Sequence, residues 1–291
     1  MRKTLGRDTK MAAAPESSAG EKAEQRSDAQ EAPPDSLEAR MQTAERFTEA
    51  LKQDQFTLFG QPIASLAQAK TGRRQLEIFV RFREEEEHLV PPGTFFPILE
   101  ANHLTPLLDR WEVQKVLGWS AEKRQAKPDW QIPSFNINLA DETFYDTGFP
   151  RHVLDSLFES RMPPDRLWFE ITTRQLFELG DPARKMIAAL KGLGCAVAVS
   201  DFAGTEADAR DYRAAGVQLV KLAASFVRDI HKSQKAMAGL LGVNTACHKA
   251  GLQTIAQFVE TTETLTALRK AGVDYAQGFR IAVPVPLALL N

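Results

Sequence analysis

The sequence predicts an α/β fold, a TIM-type (β/α)8 barrel preceded by a disordered tail, and three observations point there. Runs with strand character alternate with stretches of helical periodicity along most of the chain. Four glycines, Gly194, Gly216, Gly251 and Gly272, each stand between a helical stretch and the next strand, the punctuation of αβ loops. The part with globular composition is about 250 residues long, the usual size of one such barrel.

The tail comes first. From Met1 to Arg40 the chain has no aromatic residue, no Val and no Ile, so it cannot bury enough apolar surface to offset the entropy of ordering it. Residues 1–41 are therefore read as a disordered tail of mixed charge, and 42–291 as one barrel domain. A short helix is expected around Ala44–Lys52. FTLFGQPIASL and LEIFVRFR, separated by the turn residues Lys70-Thr71-Gly72, read as a hairpin. Helical periodicity follows in Phe95–Glu100 and Leu104–Trp119, then a strand at Phe135–Leu139. The alternation continues with a helix at Arg151–Glu159, a strand at Leu167–Ile171, a helix at Ala183–Leu193 and a strand at Ala196–Val199. After a further helical stretch come a strand at Gln218–Leu222, a helix at Gln234–Lys249 and a strand at Thr254–Ala256. A helix at Thr262–Ala271 and a short strand near Tyr275 complete the set. Such alternation in one domain means a parallel sheet, most economically closed as a barrel.

Composition narrows the function. Of 291 residues, 43% are hydrophobic and 25% charged, and the formal net charge is −2, which excludes collagen-like and disulfide-stapled chains. The near-neutral charge removes the basic footprint of a dedicated nucleic-acid binder. No apolar run reaches the roughly 20 residues of a membrane span, and no apolar h-region follows the basic start, so a cytoplasmic protein with no membrane partner is expected. Cys195 and Cys247 lie in apolar contexts and read as buried, reduced residues. The five histidines lack zinc-ligand spacing, and P-loop, GxGxxG, GxSxG and CxxC patterns are absent. The four tryptophans and the Met237, Leu240 and Leu241 face read as packing, and Glu84–Glu87 as a solvated acidic loop.

Barrel chemistry sits where strands end. Those places hold Glu77, Asn138, Glu170, Asp201, Lys221, Glu260 and Gln277, polar groups that are costly beside apolar strands unless partnered. Oxygen ligands converging from several strands suit Mg2+ or Mn2+, and a lysine among them suits a phosphate. Taken singly, Glu170 has a second reading as a helix cap, and Lys221 as the partner of a neighbouring acid.

From about Phe56 to Pro286 the chain resembles the EAL domain, the bacterial module whose active members hydrolyse cyclic di-GMP. GQPI (Gly60–Ile63) stands where the family has YQPI, and LEIFVRFR where it has AEALLRWR. LLDRW, INLADETF and RLWFEITT are similar to LDRW, VNLSARQL and RLELEITE. LGCAVAVSDF is similar to LGVRIALDDF, VKLAASFV to LKIDRSFV, and IAQFVETTETLTALRKAGVDYAQGF to VAEGVETEEQLALLRALGCDYAQGY. The resemblance implies a barrel and two-metal phosphodiester hydrolysis with a glutamate as general base. It places Glu77, Asn138, Glu170, Asp201 and Glu260 at metal-ligand positions and Lys221 at the active-site lysine. Gln61, Arg81, Glu77 and Gln277 fall on ligand-contact positions.

The departures from the pattern are as informative. Ser200 stands for the first aspartate of DDFG, a metal ligand, and Gln257 for the general-base glutamate. An amide has no useful basicity near neutral pH, and loss of a general base costs about 10²–10⁴-fold. Phe258 replaces a glycine, Ala223 the aspartate of KID, Thr173 the second glutamate of EITE, and AGTEADA (Ala203–Ala209) the GTGYSS loop. No intact catalytic set is expected, the metal positions are read as remnants, and no cofactor is expected unless a residual site takes Mg2+ or Mn2+. The expectation is a non-catalytic cyclic di-GMP receptor with a protein partner and a possible homodimer. Two alternatives stay open: a regulator that works through protein contacts without nucleotide, and a weak metal-dependent phosphodiesterase.

Overall fold

A computed structural model describes residues 37–66, 74–85, 88–90, 92–228 and 230–290. Most of the tail expected at 1–41, the Lys70-Thr71-Gly72 turn, and Glu86 and Glu87 of the acidic run lie outside the described residues. Helix α1 (Leu37–Lys52) is longer than the sequence suggests and crosses the boundary expected at residue 41. It leads into β1 (Phe56–Ser65), β2 (Gln75–Glu85) and the short β3 (His88–Val90). Helices α2 (Pro92–Ala101) and α3 (Thr105–Ala126) precede β4 (Ser134–Asn138), which is followed by α4 (Phe149–Ser160). Then come β5 (Leu167–Thr172), α5 (Thr173–Glu178), α6 (Asp181–Gly192), β6 (Ala196–Phe202), α7 (Glu206–Ala215) and β7 (Leu219–Leu222). Helices α8 (Ala224–Val227) and α9 (Gln234–Lys249), β8 (Gln253–Ala256), α10 (Thr262–Lys270), β9 (Tyr275–Ala276) and β10 (Val285–Pro286) follow.

The barrel closes in the order β1-β2-β4-β5-β6-β7-β8-β9 and back to β1. Six successive pairs from β2 to β9 are parallel. β1 runs antiparallel to both its neighbours, in keeping with the hairpin expected for β1 and β2. The cause is local: a strand joined to β2 by a hairpin must run against it, and closure then sets it against β9 as well. The helix-ending glycines at 194, 216, 251 and 272 all have positive φ, as expected. The sequence reading missed α5, although Thr172 and Gln175 form a capping box that is a start signal.

Strand alternation sorts residues between two faces. Outward residues, such as Phe135, Val199 and Val220, pack under the helices in the main core. Over the β1–β2 hairpin, Phe47 of α1, Phe56, Phe82, Phe95 of α2 and Trp111 of α3 interlock through tilted and edge-on ring contacts. Inside the barrel, Ile63, Ala198, Leu219 and Ile255 form an apolar layer, with Trp168 and Tyr275 packed against it. Two residues along each of those strands, on the same face, stand Gln61, Ser200, Lys221, Gln257, Glu170 and Gln277. A polar layer thus caps an apolar one at the C-terminal mouth of the parallel strands. Both cysteines are buried and free, and burial pushes their thiols up to about 12. Leu240 is buried as expected, but Leu241 is exposed, because adjacent helix positions face different ways.

Candidate functional site

The polar layer is organised around Lys221. Its side chain is 0% exposed on β7, so its charge must be met inside the protein. The ammonium lies 2.8 Å from Oε2 of Glu77 on β2, and also against Oε2 of Glu170 on β5. Burial works against the lysine's charge, but Glu170 and Glu77 outweigh it and hold its pKa above the ordinary value. Burial pushes the Glu170 carboxyl up to about 7, against the pull of Lys221. Of the two single-residue readings, Lys221 is therefore the partner of neighbouring acids, while the cap of the helix after β5 is Thr172 rather than Glu170.

Amides complete the layer. Gln277 donates from Nε2 to Glu77 Oε2 and, at 2.9 Å, to Gln61 Oε1. Gln61 in turn donates to the carbonyl of Ala282 at 2.9 Å, tying β1 to the loop after β9. Asn138 donates from Nδ2 to Glu77 Oε1 at 3.4 Å. Ser200 is buried at the same level, and its hydroxyl donates to the carbonyl of Ile171 at 3.4 Å. Gln61, Glu77, Asn138, Glu170, Lys221 and Gln277 thus form one connected network.

The other expected site residues stand outside that network. Arg81 lies four residues beyond Glu77 on the same face of β2, with its guanidinium 5.8 Å from the centre of the Phe59 ring. Among the described residues no carboxylate pairs with it. Asp201 is exposed with φ of +58°, a left-handed conformation that Asp tolerates better than most residues. Glu260 is exposed beyond the end of β8 and makes no hydrogen bond or ion pair among the described residues. Gln257 is half-buried at the mouth.

These residues do not fit a divalent ion. The two converging carboxylates share the Lys221 ammonium. Asn138 presents its amide N–H to Glu77, and Ser200 brings a neutral hydroxyl. Among the described residues no group of three or more His, Cys, Asp and Glu side chains converges to hold a metal.

The loops around the mouth are fixed by groups that sequence reasoning did not single out. Asp109 on α3 accepts from the backbone N–H of Ala140 at 2.9 Å and from the Thr143 hydroxyl at 2.6 Å, fastening the loop after Asn138. Asp141 in that loop takes both the Arg174 guanidinium and the Gln175 amide of α5. Thr205 and Asp208 form a capping box at the start of α7, so the altered 203–209 loop is held by its own helix cap. The Thr205 backbone N–H and hydroxyl lower the Asp208 pKa. On the far side of the mouth, Val259 donates to the Gln277 carbonyl and Arg280 to the Val259 carbonyl. A Cβ at Gly278, whose φ is +152°, would fall 2.2 Å from the Val259 nitrogen, so only glycine fits there.

The EAL domain model matches residues 44–284 of the chain. Over 245 residues, the chain is 28% identical to the cyclic di-GMP phosphodiesterase PdeB of Shewanella oneidensis, covering 84% of the chain and 28% of that protein. It is 29% identical to the cyclic di-GMP phosphodiesterase PdeF of Escherichia coli, covering 83% of the chain and 32% of that protein. The chain therefore spans about a third or less of these relatives. Among solved structures, the FimX EAL domain of Xanthomonas citri in complex with cyclic di-GMP superposes with a TM-score of 0.77 at 24% identity. That match covers 87% of this chain and 97% of the other. The FimX EAL domain of Pseudomonas aeruginosa bound to cyclic di-GMP gives 0.75 at 24% identity, covering 83% and 96%.

Proposed function

The chain belongs to the EAL domain family, and from that premise we propose that it is a non-catalytic regulatory module of bacterial cyclic di-GMP signalling, acting in the cytoplasm. It binds the dinucleotide at the C-terminal mouth of the barrel, does not hydrolyse it, and passes the bound state to a protein partner. One observation carries the reading: the Lys221 ammonium closes on Glu77 and Glu170, while Ser200 and Gln257 stand where active relatives are expected to hold a metal-binding carboxylate and a base. A barrel mouth so arranged has donors for a ligand, and an amide, Gln257, at the position expected for the base.

Binding on this reading draws on Gln61, Arg81, Glu77 and Gln277. Arg81 is the phosphate-facing cation, since a planar guanidinium with five N–H donors suits phosphate oxygens. Gln61 and Gln277 have amide groups to exchange between each other and a ligand. The near-neutral total charge means that the dinucleotide is gripped by these few groups rather than by a broad field. Because Lys221 supplies the local cation, binding is expected to need neither Mg2+ nor Mn2+. The solved FimX EAL domains that hold cyclic di-GMP support this choice of ligand.

Calorimetric titration of the purified protein with cyclic di-GMP, once in Mg2+ and once in EDTA, tests the proposal. Micromolar binding of equal strength in both buffers is the expected result. No heat at high micromolar ligand would overturn it and favour the second reading, a nucleotide-independent regulator working through protein contacts. That second reading draws on the exposed Phe258 ring at the mouth. Binding that requires Mg2+ and is accompanied by cleavage would favour the third, a weak phosphodiesterase.

A further inference from the structure

Phe258 is the one bulky aromatic among the non-glycine residues with positive φ in the described chain; the others are Asp54, His103, Arg161 and Asp201. Its φ is +59°, in the left-handed region where a Cβ crowds the following carbonyl. Asp and His enter that region with short polar side chains, and Arg161 does so as the cap that ends α4. Phe258 has neither excuse. Its ring is 60% exposed, so burial does not repay the strain in the unliganded protein. A strained residue persists where the surrounding structure or a function requires it.

A second observation points the same way. Phe279 is 68% exposed on the neighbouring segment, held there by the backbone bonds from Val259 to Gln277 and from Arg280 to Val259. The fit of Gly278 against Val259 fixes the spacing of the two segments. Neither ring stacks on another aromatic among the described residues. Two exposed rings without an aromatic partner thus stand one residue after Gln257 and two residues after Gln277, the latter part of the amide network that reaches Gln61. Flat apolar faces beside hydrogen-bonding amides match a nucleobase, which has a π-face and polar edges.

We propose that Phe258, assisted by Phe279, is a stacking platform for a purine base of the bound dinucleotide, and that its strained backbone is the device that turns the ring into the mouth. This rests on the reading that the mouth binds a cyclic dinucleotide, and it assigns Phe258 a role in affinity rather than in blocking the site. Base–aromatic stacking predicts a loss of affinity of about tenfold to a hundredfold when the ring is removed.

The test compares calorimetric titrations of cyclic di-GMP into wild type, Phe258→Gly and Phe258→Trp, with tryptophan fluorescence of the last. Glycine suits the positive φ, so the first variant is expected to fold. The proposal predicts binding at least about tenfold weaker in Phe258→Gly, near-native binding in Phe258→Trp, and a ligand-dependent fluorescence change absent from wild type. Equal or tighter binding in Phe258→Gly, with wild type still binding, would overturn the stacking role and leave the receptor reading in place. No binding by wild type or either variant would overturn the receptor reading and this inference with it. Binding by Phe258→Gly alone would make the ring a plug and overturn both for the native chain.

Discussion

Lys221 is the residue on which the polar layer turns. A fully buried ammonium between two carboxylates carries a large desolvation cost, offset here by its ion pairs with both Glu77 and Glu170, while Gln277 donates to Glu77 and Gln61. Lys221→Met should leave Glu77 and Glu170 facing each other without a cation and cost about 3–5 kcal/mol in urea unfolding. Adding Glu77→Gln and Glu170→Gln to it should recover much of that loss. A loss under about 1 kcal/mol in the single variant would mean that the ion pair is not the organising contact. Phe258 shows the opposite economy, a local strain left exposed at the mouth. The Lys221 pairing was legible as one of two readings of a lysine at a strand end. The positive φ of Phe258 was not, because a phenylalanine has no intrinsic preference for that region and only its neighbours in the fold impose it.

At the scale of elements, α3 couples the outer layer to the mouth. Asp109 and Glu112 are both buried on this helix, one turn apart. Burial pushes Asp109 up to about 7, against the bonds from Thr143 and Ala140. Burial, with the nearby charges of Asp109 and Glu77, raises Glu112 well above the ordinary carboxylate range. Each carboxyl therefore holds its proton more tightly folded than unfolded. Their contribution to stability is whole at a pH below the unfolded values near 4 and is lost as pH rises toward the folded values. Glu112→Gln should consequently be more stable than wild type at pH 8 in chemical unfolding, with the gap closing toward pH 4. A gap that stays constant with pH would show that Glu112 does not titrate in this way. Elements of this kind were legible in the sequence where a period of 2 or 3.6 ran long enough, as in Gln234–Lys249, which the structure reproduces to the residue. Short elements escaped more often: α5 has six residues, and β3 and β10 have three and two, though the two-residue β9 falls at the short strand expected near Tyr275. The tie from Asp109 to the loop after β4 spans 31 and 34 positions, a separation no local pattern reveals.

For the whole molecule, the barrel brings residues more than 200 positions apart into one layer, as Gln61 and Gln277 show. The alternation of strands and helices foretold that closure, and the reversed β1 follows from the hairpin already visible in the sequence. No helix among the described residues is long and apolar enough to cross a membrane. What the strand-end pattern did not foretell is which polar residues would meet. Glu77, Glu170, Lys221, Gln61, Asn138 and Gln277 share contacts, whereas Asp201 and Glu260, expected beside them, remain exposed. The difference is one of charge balance: two buried carboxylates suffice for one buried lysine, and further acids are cheaper in water. On the proposed reading the mouth keeps recognition and has lost chemistry. The most direct test is to incubate the purified protein with cyclic di-GMP and excess Mn2+, and to follow the nucleotide by chromatography over many hours. The account predicts that the cyclic dinucleotide is recovered intact. Linear dinucleotide accumulating in proportion to protein and time, and abolished by EDTA, would contradict it.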